Sequence, residues 1–549
     1  MKITLAQLNY HVGNFEKNSR LIIDAIREAE KDKSDLVIFS ELSLTGYPPL
    51  DLLKHRDFIE RCCEYLNIIA AECHDIAALV GAPAINHNNS GKKLYNAAYL
   101  LAEGKIKDKV FKSLLPTYDI FDEYRYFEPS TNFKVIELKG NKLAVTICED
   151  LWDEQSFEND FSSSRMYTVS PMDELARQKP DMIINISASP FSYTKTESKR
   201  KIFTTKAAKH KLPVFMVNQV GANTDLIFEG NSLVAGPAGN IIDIFPAFEE
   251  HIASFELPDI IKNRTAVKVE TNRIEMIYSA LVVGLKDYFE KMNFNSAVLG
   301  LSGGIDSAVC LCLAVSALGP SKVRVLLLPS MYSSKHSVDD AIALSTKLGV
   351  QYDIINIEKA YLAIEKSLSE IMKGRPIDVT EENIQARLRS LILMAVSNKF
   401  GNILLNTSNK SETAVGYSTL YGDMAGSISV LGDVYKTDVY RLADYINRDS
   451  QIIPCNIITK APSAELSPHQ KDTDSLPEYE ILDSVLYQYI ELQKAISDIK
   501  GPDINPDLVK NIIGLINKNE FKRFQAPPIL RISGKAFGPG RRMPLVGEY

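Results

Sequence analysis

Three residues in the first third of the chain have the types needed to open an amide bond. Glu41 stands in FSELSLTGYPP, Lys112 in VFKSLLPTYDIFDEYRYF and Cys148 in AVTICEDLW, each at the end of a strand-like stretch. Amide cleavage of this kind needs a thiolate nucleophile, a proton acceptor and a cation near the developing oxyanion. Glu41 can deprotonate Cys148. Lys112 can stabilise the tetrahedral intermediate and keep Glu41 ionised. Each residue alone is weak evidence, because a cysteine after an apolar strand is more often packing. A Glu or Lys at a strand end is usually just solvated.

A second group is contiguous. Leu299, Gly300, Leu301, Ser302, Gly303, Gly304, Ile305, Asp306 and Ser307 follow a strand-like run and open a helical one. Glycines let the backbone turn tightly and approach a ligand. Backbone N–H groups at the helix start, with the hydroxyls of Ser302 and Ser307, would hold a phosphate. Asp306 would hold a magnesium ion against the same phosphates. No GK[ST] follows, so this is not a Walker A loop, and it is not GxGxxG. The plain alternative is a glycine-rich strand–helix turn. The full SGGIDS resembles the SGGxDS pyrophosphate loop of synthetases that cleave ATP to AMP and pyrophosphate. That resemblance implies an acyl-type adenylate, from which a nucleophile such as ammonia displaces AMP.

The elements that must position these groups are legible from periodicity. Residues 3–8 alternate like a strand, and Leu21, Ile22, Ala25, Ile26 and Ala29 follow a helical spacing. LVIFS (36–40), IAALVG (76–81), KLAVTI (142–147), MIINIS (182–187) and VFMVN (214–218) read as buried strands. SLVAGPAGNIID reads as a hairpin. PDIIKNRTAVKVETN is polar and aperiodic and reads as a join, followed by an amphipathic helix over roughly 272–291. The second half alternates strand and helix, which predicts an α/β fold with a doubly wound parallel sheet. The division is 1–257, a linker 258–274, and 275–549. The tail FQAPPILRISGKAFGPGRRMPLVGEY, rich in Gly, Pro and Arg, either moves freely or covers a site.

Composition bounds the rest. A chain of 549 residues is long enough for about two to four domains. With 45% hydrophobic and 24% charged residues it is ordinary globular usage, which excludes disorder, collagen and coiled coil. A net charge of −7 argues against a nucleic-acid partner. Seven cysteines, an odd number without CxxC or zinc spacing, fit a reduced compartment, so a cytoplasmic location is expected. The start lacks the apolar block of a signal peptide, and no apolar run reaches about 18 residues, so no membrane partner is expected.

Taken in order, Glu41, Lys112 and Cys148 resemble the Glu-Lys-Cys triad of the nitrilase superfamily, in its glutamine-hydrolysing amidase branch. The resemblance covers about residues 1–255. It implies a four-layer α-β-β-α sandwich and ammonia release through a γ-glutamyl thioester. It also implies that Tyr118, Ser189 and Lys195 hold glutamine, although the last position is often Arg in this branch. Glu149 and Trp152 are expected to shape the site; Trp152 can equally be core.

A nitrilase-type glutaminase fused ahead of an SGGxDS domain resembles the glutamine-dependent NAD synthetase family over nearly the whole chain. The second half would then have the adenine nucleotide alpha hydrolase-like fold. The implied reaction adenylates deamido-NAD with ATP, and ammonia from glutamine displaces AMP to give NAD. By the same resemblance Thr407, Lys436 and Ser463 join the 299–307 loop in binding ATP. Asn383, Arg387, Glu412 and Lys522 bind deamido-NAD. Asp306 and Glu412 would hold Mg2+, a pairing that suits an ion bridging phosphate oxygens. Arg387 and Arg389 can instead form surface ion pairs, and Glu412 can be a dipole-favoured helix-start carboxylate. The chain departs from some relatives at Leu420 and Ser427. The family implies a homo-oligomer, and ammonia's easy loss makes a tunnel a reasonable expectation. Three other readings compete: an ATP-pyrophosphatase amidotransferase with another acceptor, a non-catalytic scaffold, and two independent enzymes joined only by the linker. The nitrilase-type front half disfavours the first. Reactive residues at Cys148, Lys112 and Asp306 disfavour the second.

Overall fold

Buried apolar runs and alternating ones both find their strands in the computed structural model. It describes residues 1–549 except Gln155, Asp160, Phe161, His469, Glu548 and Tyr549, and gives only the backbone of 156–159 and 162–164. The chain divides into two units, Met1–Thr271 and Asn272–Tyr549.

The first unit holds two six-stranded sheets. One runs in the order His251–Glu256, Lys2–Gln7, Leu36–Ile38, Ala77–Ile85, Leu94–Ala102, Lys105–Phe111. Its members Lys2–Gln7, Leu36–Ile38 and Ala77–Ile85 are mutually parallel, and the outer strands are antiparallel. The other runs Ile241–Ile244, Leu233–Ala235, Val214–Asn218, Met182–Ser187, Asn141–Ile147, Ile136–Leu138, again with three parallel central strands. Ile3, Leu5, Ile38 and Leu79 of the first sheet pack with Val145, Ile147, Ile184 and Val217 of the second in one core. The alternate residues face outward, where helices cover them. Phe15–Lys31 and Arg56–Ala71 cover the first sheet, and Pro171–Ala176 and Thr196–His210 the second. The result is the four-layer α-β-β-α sandwich.

Local chemistry explains several of these elements. The Phe15–Lys31 helix is capped by Asn14, whose side chain accepts from Lys17 N, and it buries Ile22, Ala25, Ile26 and Ala29 at helical spacing. In the hairpin, Gly239 takes a φ of 83°, and Gly236 N donates to Asn240 O. The join is less featureless than its polarity suggests. Residues Leu257–Lys262 form a helix with proline in its first turn, because Leu257 and Ile260, three apart, drop into the inter-sheet core.

The second unit has a five-stranded, wholly parallel sheet ordered Gln351–Ile354, Val323–Leu327, Ala297–Gly300, Ile403–Asn406, Ile428–Ser429. Strand order reverses between Ala297–Gly300 and Ile403–Asn406, so a crevice opens at their carboxyl ends, the usual ligand position in such sheets. The 301–304 loop leaves one of these strands and the 407–409 turn leaves the other. Helix Arg273–Met292 starts at Asn272, whose side chain accepts from Ile274 N and Glu275 N. The tail is held down: Ile529 pairs with Ser429, and Ile532 N and Ser533 N donate to Asp433. All seven cysteines are free, and no described helix is long and apolar enough to cross a membrane.

Candidate active sites

In the first unit the three amide-opening residues come together at adjoining strand ends. Lys112 directly follows Lys105–Phe111, Cys148 directly follows Asn141–Ile147, and Glu41 lies three residues past Leu36–Ile38. Glu41 and Lys112 are fully buried. Lys112 Nζ donates to Glu41 Oε1 at 2.7 Å, and Glu41 Oε2 accepts from Ala188 N at 3.1 Å. Gly81 makes room for the Glu41 turn, since a Cβ there would meet Leu42 N at 2.4 Å and Ser40 O at 2.5 Å. Cys148 has a φ of 45°, an uncommon backbone for a residue with a side chain, and opens the short 3-10 turn Cys148–Leu151.

Electrostatics set the resting state of this group. Burial pushes the Cys148 thiol well up, the Glu41 carboxylate pushes it the same way, and Lys112 opposes both. The cysteine therefore rests as a thiol and needs a base. Burial works against the Lys112 ammonium, but the Glu123 and Glu41 carboxylates outweigh it and hold the ammonium charged.

Several partners carry no short-range sequence signal. Glu123 accepts twice from Lys112 Nζ, at 2.9 and 2.8 Å, and once from Tyr47 Oη at 2.9 Å. Asn96 donates to Glu41 Oε1 at 2.7 Å. Asp150 Oδ1 accepts from Ser113 N and Leu114 N, both at 2.9 Å, and its Oδ2 accepts from Ile147 N at 3.0 Å. One carboxylate thereby ties the segment after Lys112 to the residue before Cys148. Glu123 and Asp150 lie in motifs already singled out, KSLLPTYDIFDE and ICEDLW, but nothing local tells which acidic residue turns inward.

Of the glutamine-binding residues inferred from resemblance, Tyr118 meets Glu149, Lys195 stands by the Tyr118 ring, and Ser189 lies apart from both. Tyr118 Oη donates to Glu149 at 3.0 and 3.1 Å, and Tyr167 Oη donates to the same carboxylate at 2.9 Å. Lys195 Nζ stands 5.9 Å from the Tyr118 ring centroid. Burial raises the Glu149 carboxyl, while Lys112 and the two tyrosines pull it back. Ser189 N donates to Asn218 Oδ1 at 2.8 Å. Ser189 and Trp152 line a small separate cavity of about 20 Å³ together with Lys199, Arg200 and Glu229.

In the second unit a cavity of about 310 Å³ sits at the switch point. Gly300, Leu301, Ser302, Gly304, Ile305, Asp306, Ser307, Thr407, Glu412, Lys436 and Ser463 all line it. The loop closes on itself: Ser302 Oγ lies 3.1 Å from Ser307 Oγ, and Gly304 N donates to Ser302 Oγ at 3.2 Å. Two members of the 299–307 run contribute no cavity wall. Leu299 is fully buried in its strand, and Gly303 supplies the turn. Gly303 has a φ of 79°, and a Cβ there would strike Ser337 O at 2.2 Å.

Asp306 accepts from Lys436 Nζ, and from Asn409 Nδ2 at 2.9 Å; Glu412 Oε1 lies 3.6 Å from Lys436 Nζ. Burial and the neighbouring Asp306 push the Glu412 carboxyl up to about 8. Burial disfavours the Lys436 charge, but Asp306 and Glu412 reverse this and raise it.

Three residues of the deamido-NAD set lie outside the cavity lining. Asn383 Oδ1 accepts from Thr419 Oγ1 at 2.7 Å, and Arg387 Nε donates to Leu420 O at 3.2 Å. Lys522 Nζ donates to Gly416 O at 2.7 Å and Ser418 O at 2.8 Å. All three hold the 416–420 segment. Among the described residues neither Arg387 nor Arg389 makes the surface ion pair considered above: Arg389 lines the cavity, donates to Leu328 O at 3.0 Å, and is lowered to about 10 by burial. Ser427 N donates to Leu404 O at 2.8 Å.

Residues 2–262 match the carbon-nitrogen hydrolase family model, and residues 277–526 match the NAD synthase family model. The class is thus a ligase whose synthase unit follows an amide-hydrolysing unit. A glutamine-dependent NAD(+) synthetase of Synechocystis is 41% identical, over 100% of this chain and 99% of its own. A solved glutamine-dependent NAD+ synthetase from Acinetobacter baumannii, in complex with ADP, is 35% identical, with a TM-score of 0.78, covering 99% of this chain and 98% of its own. The fold is also that of a glutamine-dependent NAD(+) synthetase from Cytophaga hutchinsonii, with a TM-score of 0.83 at 21% identity over 100% and 98% of the two chains. The chain belongs to the glutamine-dependent NAD(+) synthetase family.

Proposed function

We propose that residues 1–257 release ammonia from glutamine and residues 275–549 use it, with ATP, to convert deamido-NAD to NAD, the segment between acting as linker. The observation that carries this reading is the buried Lys112 ammonium, held by Glu41 and Glu123 beside the turn that presents Cys148.

Cys148 Sγ attacks the glutamine amide carbon while Glu41 takes the thiol proton. Lys112 faces the oxygen on which negative charge develops. Glu41 returns the proton to the leaving nitrogen, and ammonia departs from a γ-glutamyl thioester. Water then attacks the thioester carbon, Glu41 takes its proton, and glutamate leaves as the thiol reforms. Tyr118, Ser189 and Lys195 orient the substrate's polar end.

In the second unit the 299–307 loop, Thr407, Lys436 and Ser463 hold ATP. The deamido-NAD carboxylate oxygen attacks the α-phosphorus and pyrophosphate leaves. Ammonia attacks the resulting acyl carbon, AMP leaves with the bonding electrons, and the nitrogen loses a proton to give the amide. Asn383 and Arg387 support the dinucleotide through the 416–420 segment, with Lys522. The donor set fits Mg2+: Asp306 and Glu412 are hard oxygen ligands lining one cavity, and burial together with the neighbouring Asp306 raises the Glu412 carboxyl, an effect a bound cation would offset. Asp306 and Glu412 would hold the ion, leaving the remaining ligands to phosphate and water, since no three ligating side chains gather among the described residues. When bound, the ion would neutralise phosphate charge in both displacements. A homo-oligomer working in the cytoplasm completes the reading, supported by the family and by the seven free cysteines.

The test is Cys148→Ala in the full chain. Glutamine-driven NAD synthesis should vanish, and synthesis from added ammonium should persist. Equal loss of both activities sinks this division of labour.

A further inference from the structure

The helix that carries Lys436 has an incomplete beginning. Lys436–Ile446 starts after Tyr435, which makes no side-chain capping bond. The first N–H groups of any helix lack partners within it, and here they sit in a buried setting. Asp438 N and Val439 N reach Tyr435 O. The two preceding N–H groups are satisfied from other helices. Lys436 N donates to Ser411 Oγ at 2.9 Å, and Thr437 N donates to Asp483 Oδ2 at 2.9 Å. Ser411 Oγ in turn donates to Asp483 Oδ1. Ser411 and Asp483 are both buried.

This arrangement places three constraints on one lysine. Ser411 directly precedes Glu412 on the Lys410–Val415 helix, so the bond from Lys436 N fixes the Lys436 backbone against the Glu412 backbone. Asp483 lies on the Tyr479–Leu486 helix, four residues after Tyr479 and therefore on the same face. The Tyr479 ring lies 5.2 Å from Lys436 Nζ, and the Tyr479 hydroxyl donates to Asp472, another carboxylate of the cavity wall, at 2.8 Å. One helix face thus supports the start of the Lys436 helix, directly at Thr437 N and through Ser411 at Lys436 N, and the Lys436 ammonium itself. A carboxylate at a helix N-terminus also complements the dipole there.

We propose that Asp483, acting through Ser411, is a positioning residue for adenylate formation: it sets where the Lys436 ammonium stands between Asp306 and Glu412. The inference rests on the synthetase reading above and adds a residue that lines no part of the cavity. Asp483 serves the reaction through the register of two helices.

The experiment uses the full chain with ammonium as nitrogen source, so that amide cleavage does not limit the rate. Cys148→Ala alone must first make NAD from ammonium; if it does not, the synthetase reading has failed and this inference is not the cause. Asp483→Ala should lower kcat of ammonium-driven synthesis and of ATP–pyrophosphate exchange about 10-fold or more, with KM for ammonium within two-fold. Asp483→Asn, which keeps an oxygen for Thr437 N, should recover part of that loss. Glutamine hydrolysis, carried by the other unit, should stay within two-fold. Ser411→Ala removes a single hydroxyl and should reproduce the kcat loss at smaller size even if Asp483→Ala folds poorly. The proposal is overturned if Ser411→Ala and Asp483→Asn both keep wild-type kcat, or if active-site titration shows that the loss only tracks the fraction of folded enzyme.

Discussion

Asp150→Asn separates the two jobs of a buried carboxylate. Burial pushes the Asp150 carboxyl from its ordinary 3.8 up to about 6, although three backbone N–H groups donate to it. Keeping it ionised above that pH costs the folded state roughly 3 kcal/mol relative to its neutral form. The sign follows from the raised value: the penalty is full above about 6 and disappears as pH falls toward 3.8. An asparagine is neutral throughout and escapes the penalty. Its NH2 must face Ile147 N–H, however, and a buried donor left without an acceptor costs about 1–3 kcal/mol. The two effects nearly cancel, so the melting temperature at neutral pH should hold or rise by a few degrees.

Catalysis should respond differently. Asp150 is the tie between residues 113–114 and residue 147, which flank Lys112 and Cys148. A charge-assisted bond of about 1.5–3 kcal/mol withdrawn from that register is about 10- to 150-fold in kcat for glutamine hydrolysis. The assay measures glutamate release beside ammonium-driven NAD synthesis on the same sample, with calorimetry for stability. Glutaminase kcat within two-fold of wild type would refute the tie. A fall in melting temperature of more than about 5 °C would refute the burial argument.

Two further perturbations act in the second unit. Gly303→Ala places a Cβ against Ser337 O at 2.2 Å in a left-handed backbone, so ATP-dependent synthesis should fall by about 100-fold or more while glutamine hydrolysis persists; retention within ten-fold would contradict the contact. Lys410→Met leaves Asp433 and Glu491, 2.9 and 2.8 Å from the lost ammonium, as buried charges without their cation. That change should cost about 3–5 kcal/mol and lower the second unit's melting temperature by about 6 °C or more, and a shift below about 2 °C would contradict it.

Contiguous features were readable before any fold was known. SGGIDS needs only one strand–turn–helix, so its spacing is its geometry. The same holds for the buried strands, whose apolar runs state that both faces are covered, and for helix 15–31, whose cap and stripe are local. The triad was readable only as an ordered set of motifs, because Glu41, Lys112 and Cys148 are brought together by two different sheets. What the sequence did not reveal is which other polar residues turn inward. Glu123 and Asp150 look like any acidic residue in a loop, and Asp483 sits on a helix whose neighbours in sequence say nothing of Ser411. Lys522 and Arg387 read as ligands by resemblance, and the fold shows each donating to backbone carbonyls of the 416–420 segment, which need donors where no helix or strand supplies them.

Residue type and local order therefore specify which chemistry the chain can attempt: a thiol, a base and a cation in one half, a phosphate loop in the other. Tertiary structure alone decides the state in which those groups wait. The Cys148 thiol is protonated because packing removes water from around it, and the Lys112 ammonium survives burial because Glu123, folded back from the following loop, and Glu41, from a distant strand end, close on it. Desolvation and long-range charge pairing depend on what surrounds a group in space, and a linear sequence does not state that.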